Sequence, residues 1–143
     1  MYLTIFADAR KKYPISLHSY CLMTNHTHLL IETTDYPINK TMQYLNFKYA
    51  MYFNKRHGLD GHLFQGRYGS KLIESLEHFL NASKYIHLNP VDAGITNNPI
   101  DYPWSSYSAF ISPTQNTHVT TEKILSYFHN HPHMYYQLFV EGV

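Results

Sequence analysis

What this 143-residue sequence most plainly lacks is a second cysteine. Cys21 alone cannot form an internal disulfide, and a lone thiol fits a reducing, cytoplasmic setting. It lies in a strand-like run, where a thiol serves as buried filler. The sequence is also poor in charge. Asp, Glu, Lys and Arg make up 15% of it, and the formal net charge is +1. That balance argues against a strong sequence-blind polyanion binder, while leaving room for a local basic groove. No apolar run is long enough to span a bilayer, so no membrane partner is expected. No signal-peptide pattern opens the chain, because Lys11 and Lys12 follow the first apolar residues instead of preceding them. Neither an internal repeat nor a low-complexity tract interrupts it, and one domain over residues 1–143 is expected.

Aromatic residues, in contrast, are plentiful: 16% of the chain, including 14 tyrosines. They supply packing bulk, and they offer stacking surfaces or a nucleophile among many similar phenols. The apolar pattern predicts a short helix from Met1 to Lys12, with Arg10, Lys11 and Lys12 favourably placed in its last turn. Pro14 stops it. Strands follow at Ile15 to Met23 and His26 to Thr33, joined by a Thr24-Asn25 turn into an antiparallel hairpin. Ile38, Met42, Leu45, Tyr49, Tyr52 and Phe53 recur at helical spacing, so a helix is predicted from Ile38 to His57 and ends at Gly58. Leu72 and Ile73 suggest a third strand over Tyr68 to Glu74. Ser75 caps another helix that runs to about Asn89, where Pro90 is expected to end it. Tyr102 to Tyr107 should pack across the core. Thr120 or Thr121 can cap a final amphipathic helix through Ile124, Leu125 and Phe128, with one or two further helical turns over Tyr135 to Val140. The expected class is α+β with an antiparallel sheet.

Two features of this pattern carry chemistry. His26 and His28 sit at alternate positions at the start of a strand, so their imidazoles point the same way. Two imidazoles on one face make half of a divalent-metal site, or simply two solvated histidines. In the helix from Ser75, the positions Leu76, Phe79, Leu80, Ser83 and Ile86 form the stripe expected to be buried. Tyr85 falls on the opposite side. Asn89 is one turn later, about 40° round, and His78 lies nearly two turns earlier on the same row. A single solvent-facing tyrosine would be unremarked. The string Tyr85-Ile86-His87-Leu88-Asn89-Pro90 and the paired histidines single this one out.

Four ordered blocks then carry a resemblance. Cys21-Leu22-Met23-Thr24-Asn25-His26-Thr27-His28-Leu29-Leu30 resembles the histidine-hydrophobic-histidine (HUH) signature of the single-tyrosine, IS200-like transposases, and most of all the REP-associated tyrosine transposases. His62-Leu63-Phe64-Gln65-Gly66-Arg67-Tyr68, Tyr85 to Gly94, and Tyr102-Pro103-Trp104-Ser105-Ser106-Tyr107 are similar to further signatures of that group. The resemblance implies metal-dependent cleavage and joining of single-stranded DNA carrying a hairpin, and it is compatible with a homodimer. By analogy, Tyr85 is the nucleophile, His26 and His28 hold Mg²⁺ or Mn²⁺, and Asn89 takes the place of the third ligand. A phosphodiester is an anion that repels nucleophiles, and a hard cation on its oxygens offsets that charge. A phenol, of pKa about 10, must lose its proton during attack. A 5′-phosphotyrosine would keep the phosphate activated for a second strand, splitting one hard exchange into two balanced steps. Lys48, Lys55, Arg56, Lys71 and Lys84 could track phosphates, and Tyr49, Tyr52 and Tyr68 could stack unpaired bases. Gln65 and Arg67 have the better case, since they lie in a matched block on a loop.

The implied fold is a ferredoxin-like βαββαβ core with helices on one face, and 103–143 as a C-terminal extension packed on it. This sequence opens at the first helix, so the sheet is expected to lack its first strand. Thr24 stands where the group tends to have proline, and Gly69 where a basic residue is common. Two rival readings stay open on the residues: a catalytically inactive or domesticated nucleic-acid-binding module of the same fold, and a hydrolase using a metal on His26 and His28.

Overall fold

The computed structural model describes residues 1–64, 66 and 68–142. The chain divides into two compact units, Met1–Ile15 with Thr33–Leu72, and Ser16–Glu32 with Ile73–Val143. The first is a helical pair. Helix α1 (Tyr2–Lys12) ends with Arg10, Lys11 and Lys12 in its last turn, complementing the negative end of the helix dipole. It buries Tyr2, Phe6 and Ala9. Helix α2 (Ile38–His57) buries Thr41, Met42 and Leu45. The two helices meet through Tyr2 and Tyr49, whose rings stand edge to face at 5.2 Å. Gly58 stops α2 in the left-handed conformation, φ 62°, which a residue without a Cβ adopts at no steric cost.

The second unit holds a hairpin of β1 (Ile15–Leu22) and β2 (Thr27–Thr33), closed by the Met23 amide donating to the His26 carbonyl at 2.8 Å. The outer edge of β1 is not left to solvent. Leu22 N–H donates to Trp104 O (2.8 Å), Ser106 N–H to Tyr20 O (3.0 Å), and Thr120 N–H to Leu17 O (2.8 Å). These bonds satisfy edge groups that would otherwise stay unpaired. Helix α3 (Leu76–Asp92) follows, capped by Ser75, whose hydroxyl accepts from the His78 amide at 3.1 Å. Three more helices, α4 (Tyr107–Ile111), α5 (Glu122–Leu125) and α6 (Pro132–Glu141), complete the unit. Its core joins Cys21 and Leu30 of the hairpin to Ile86 of α3, Phe110 of α4, Ile124 of α5 and Tyr136 of α6.

The α+β class, the antiparallel pairing and the first four elements are as the sequence predicts. Several details differ. Residues 68–74 form no strand among the described residues, and Leu72 is 80% exposed. Two adjacent apolar residues point to opposite faces of a strand, so only one could be buried, and it is Ile73 that packs on the core. Helix α3 runs through Pro90 to Asp92. A proline so near a C-terminus removes only the one bond its missing N–H would make to the carbonyl four residues earlier, and its own carbonyl accepts from the amides of Ile95 and Thr96. Helix α5 is a single turn, while α6 starts early because Pro132 is preset for a first helical position. In the Tyr102–Tyr107 block, Tyr102, Ser105, Ser106 and Tyr107 are buried but Trp104 is 62% exposed. Leu76, expected in the buried stripe of α3, is exposed at its first turn.

Phe110 is fully buried, stacked on Tyr136 at 4.7 Å and edge-on to His87 at 4.9 Å. Phe110→Ala is expected to cost about 3–5 kcal/mol, lowering the melting temperature by about 10 °C. Thermal denaturation followed by circular dichroism checks this. A shift of only about 2 °C would mean that the core recloses around the missing ring.

Candidate active site

His26 ends the turn and His28 is the second residue of β2, so the hairpin sets their spacing. Their rings are perpendicular, 4.8 Å apart between centroids, and the two Nε2 atoms approach to 3.1 Å. Asn25 orients the first ring: its Oδ1 accepts from His26 Nδ1 at 2.6 Å, which leaves the lone pair of the neutral imidazole on Nε2. Tyr85 of α3 stands edge-on to His28 at 5.6 Å and is 57% exposed, open to a large substrate. Asn89, one turn further along α3, is 9% exposed and its side chain hydrogen-bonds His28. The pKa of His28 is lowered, first by burial and then by the neighbouring His26, with the Asn89 bond acting the other way. The ring is therefore neutral at pH 7, the form in which imidazole binds a metal.

Four residues singled out from the sequence thus meet in one place. Two ligands about 2.1 Å from one ion and at right angles to each other stand about 3 Å apart. The 3.1 Å between the Nε2 atoms fits that spacing. Among the described residues, no group of three His, Cys, Asp or Glu could hold a metal. The available donors are two imidazoles and an amide, a sparse set that leaves coordination positions for water and phosphate oxygens. Imidazole and amide donors suit Mn²⁺ somewhat better than Mg²⁺.

Of the basic residues singled out from the sequence, Lys84 is on α3 beside Tyr85, and the others described are in the other unit. Lys48, Lys55 and Arg56 are exposed on α2 of the other unit, and Lys71 is exposed near that unit's end. The Lys48 ammonium lies 5.7 Å from the centre of the Tyr44 ring, and that of Lys84 5.1 Å from the centre of Phe139. Tyr49 is half-buried among Tyr2, Tyr52, Phe53 and Phe64, which restricts its face for stacking. Gln65 and Arg67 lie outside the described residues. Among the described residues, no helix is long and apolar enough to cross a membrane.

The family described as IS200-like transposases matches residues 1–89. This chain belongs to that family. The match ends on Asn89 and so spans all four residues gathered at the site. Membership sets the chain among proteins of DNA transposition. No curated protein matches it. A solved structure, of a REP-associated tyrosine transposase bound to a REP hairpin, is similar with a TM-score of 0.68 and 16% identity, over 84% of this chain and 78% of that one. At such identity the likeness is one of fold.

One residue of this IS200-like transposase was not singled out by its sequence. His87 lies between Tyr85 and Asn89 but is wholly buried. Its Nδ1 pairs with the Tyr136 hydroxyl and its Nε2 with the Ser106 hydroxyl, each at 2.7 Å. Burial lowers its pKa to about 3. The helical period could have revealed it, since His87 adjoins the buried Ile86 and points away from Tyr85. The neutral native ring has a consequence in acid. The unfolded chain takes up this proton below about pH 6.5, while the native state takes it up only near pH 3. Stability should therefore be complete above about pH 6.5 and fall on acidification through that window, by about 1 kcal/mol per pH unit. The other titratable groups facing the ring, Tyr107 and Tyr136, are raised by burial and stay protonated throughout. Urea titrations between pH 7 and 4.5 measure the slope, which His87→Gln should flatten.

Proposed function

We propose that this protein cuts and rejoins single-stranded DNA beside a hairpin, with Tyr85 as the nucleophile. The observation that carries this reading is the approach of the Tyr85 ring to His28, whose Nε2 is paired with that of His26. The Tyr85 oxygen attacks the phosphorus and the bond to the 3′-oxygen breaks. A 5′-phosphotyrosine and a free 3′-hydroxyl result, and the phenolic proton passes through solvent to the leaving oxygen. A second 3′-hydroxyl then attacks the same phosphorus, the bond to Tyr85 breaks, and strands are exchanged without a nucleotide cofactor. His26, His28 and the Asn89 amide would hold Mg²⁺ or Mn²⁺, which when bound offsets phosphate charge and aligns the reacting group. Asn25 keeps His26 turned for that task, and α3 brings Tyr85 and Asn89 to the same side. Lys48, Lys55, Arg56, Lys71, Gln65 and Arg67 are assigned to phosphate and strand contacts. The hairpin substrate is supported by the similar transposase bound to a REP hairpin.

The test is incubation of the wild-type protein with labelled hairpin oligonucleotides bearing single-stranded flanks, with Mn²⁺, followed by a denaturing gel. The expected result is a labelled band of protein mass that survives denaturation and disappears with a chelator. Binding in a native gel without that band would instead leave a nucleic-acid-binding module of the same fold. Turnover of small phosphoesters that survives Tyr85→Phe would favour the hydrolase.

A further inference from the structure

Helix α3 touches the hairpin on two flanks. Ile86 joins Leu30 in the core, Tyr85 and Asn89 face His28, and His87 faces the opposite way, toward Ser106. Ser106 is bonded to the outer edge of β1: its hydroxyl accepts from the Tyr20 amide at 2.9 Å, and its own amide donates to the Tyr20 carbonyl at 3.0 Å. On its other side His87 reaches the Tyr136 hydroxyl, which also pairs with Ser83 of α3 at 2.6 Å. Ser83, His87, Ser106 and Tyr136 are all buried. A fully bonded buried network of this kind has one arrangement and resists rotation, because any turn would leave polar groups unpaired.

We propose that His87 is a positioning residue: it ties α3 to the edge of β1 through Ser106 and thereby fixes the rotation at which Tyr85 meets the histidine pair. The inference deepens the strand-exchange reading and rests on it. Residues two apart on a helix lie about 200° apart, so the anchor on one flank governs the presentation on the other. A displacement of about 1 Å at a reacting group costs about a hundredfold in rate. Ile86 alone cannot supply this control, since apolar contacts tolerate sliding where hydrogen bonds do not.

Three variants test it: His87→Leu, which keeps the volume; His87→Gln, which restores an amide; and Ser106→Ala, which cuts the tie and alters packing least. At 20 °C, with folding verified by circular dichroism, His87→Leu and Ser106→Ala should form the adduct at saturating DNA about 10–100-fold more slowly. Hairpin affinity should stay within about twofold, and His87→Gln should recover part of the rate. A purely structural role predicts lowered melting temperatures with the wild-type rate in the folded protein, and that result would overturn the proposal. So would a loss of affinity in step with the rate. If His87→Leu does not fold, Ser106→Ala decides. A second readout needs no activity: 3-fluorotyrosine at position 85 should give a ¹⁹F resonance that moves or splits in Ser106→Ala. An unmoved line overturns the proposal. If the wild type forms no adduct, the strand-exchange reading fails and the ¹⁹F line alone judges the positioning.

Discussion

Tyr85→Phe is expected to abolish the covalent DNA adduct while leaving hairpin affinity and melting temperature unchanged. The substitution removes one oxygen and nothing else. The ring that stands 5.6 Å from His28 is retained, so the edge-to-face contact and the course of α3 persist. Tyr85 is 57% exposed, and losing a hydroxyl at such a position changes stability by about 0.5 kcal/mol or less. Catalysis has no such tolerance. Without the phenolic oxygen no phosphotyrosine can form, and adduct yield should fall by more than about a thousandfold. The gel is read beside a native-gel titration of the same oligonucleotide. An adduct that persisted would move the nucleophile to another of the 14 tyrosines. Lost adduct with lost affinity would make Tyr85 a binding residue.

His26→Ala is the second large effect. His26 is exposed, and its partners are Asn25 and His28, so removing it deletes a donor without opening the core. His28 is a poorer choice, since it also contacts Tyr85 and Asn89. If the pair holds a divalent ion, adduct formation should fall by about a hundredfold or more, equivalent to about 3 kcal/mol of lost transition-state stabilisation. Hairpin affinity should change by less than about threefold. Metal binding can be followed without activity through the free Mn²⁺ signal in electron paramagnetic resonance. Wild-type protein should deplete that signal and His26→Ala should not. Equal depletion by both proteins would remove the histidines from the metal site.

Much of this site was legible along the chain because its spacing is local. Alternation along a strand places His26 beside His28, and the helical repeat places Tyr85 beside Asn89. Both periods follow from backbone geometry alone. The first two helices and the hairpin were legible for the same reason: α1, β1, β2 and α2 each have a regular apolar pattern, punctuated by Pro14, the Thr24-Asn25 turn and Gly58. The Tyr68–Glu74 segment departs from its strand pattern because two apolar residues satisfy that pattern without naming a partner strand. Pro90 does not end α3 because so little of the helix remains to be disrupted beyond it.

Sequence by itself determined the family, the α+β class and the singling out of two histidines, a tyrosine and an asparagine as candidates. Tertiary structure decided that α3 lies against the hairpin, that Asn25 turns one imidazole, and that His87 belongs to the core and not to the surface. The reason is one of range. Periodicity describes neighbours within a turn or a pleat, whereas Ser106 and Tyr136 meet His87 across 19 and 49 residues, a contact that only the packed chain brings about.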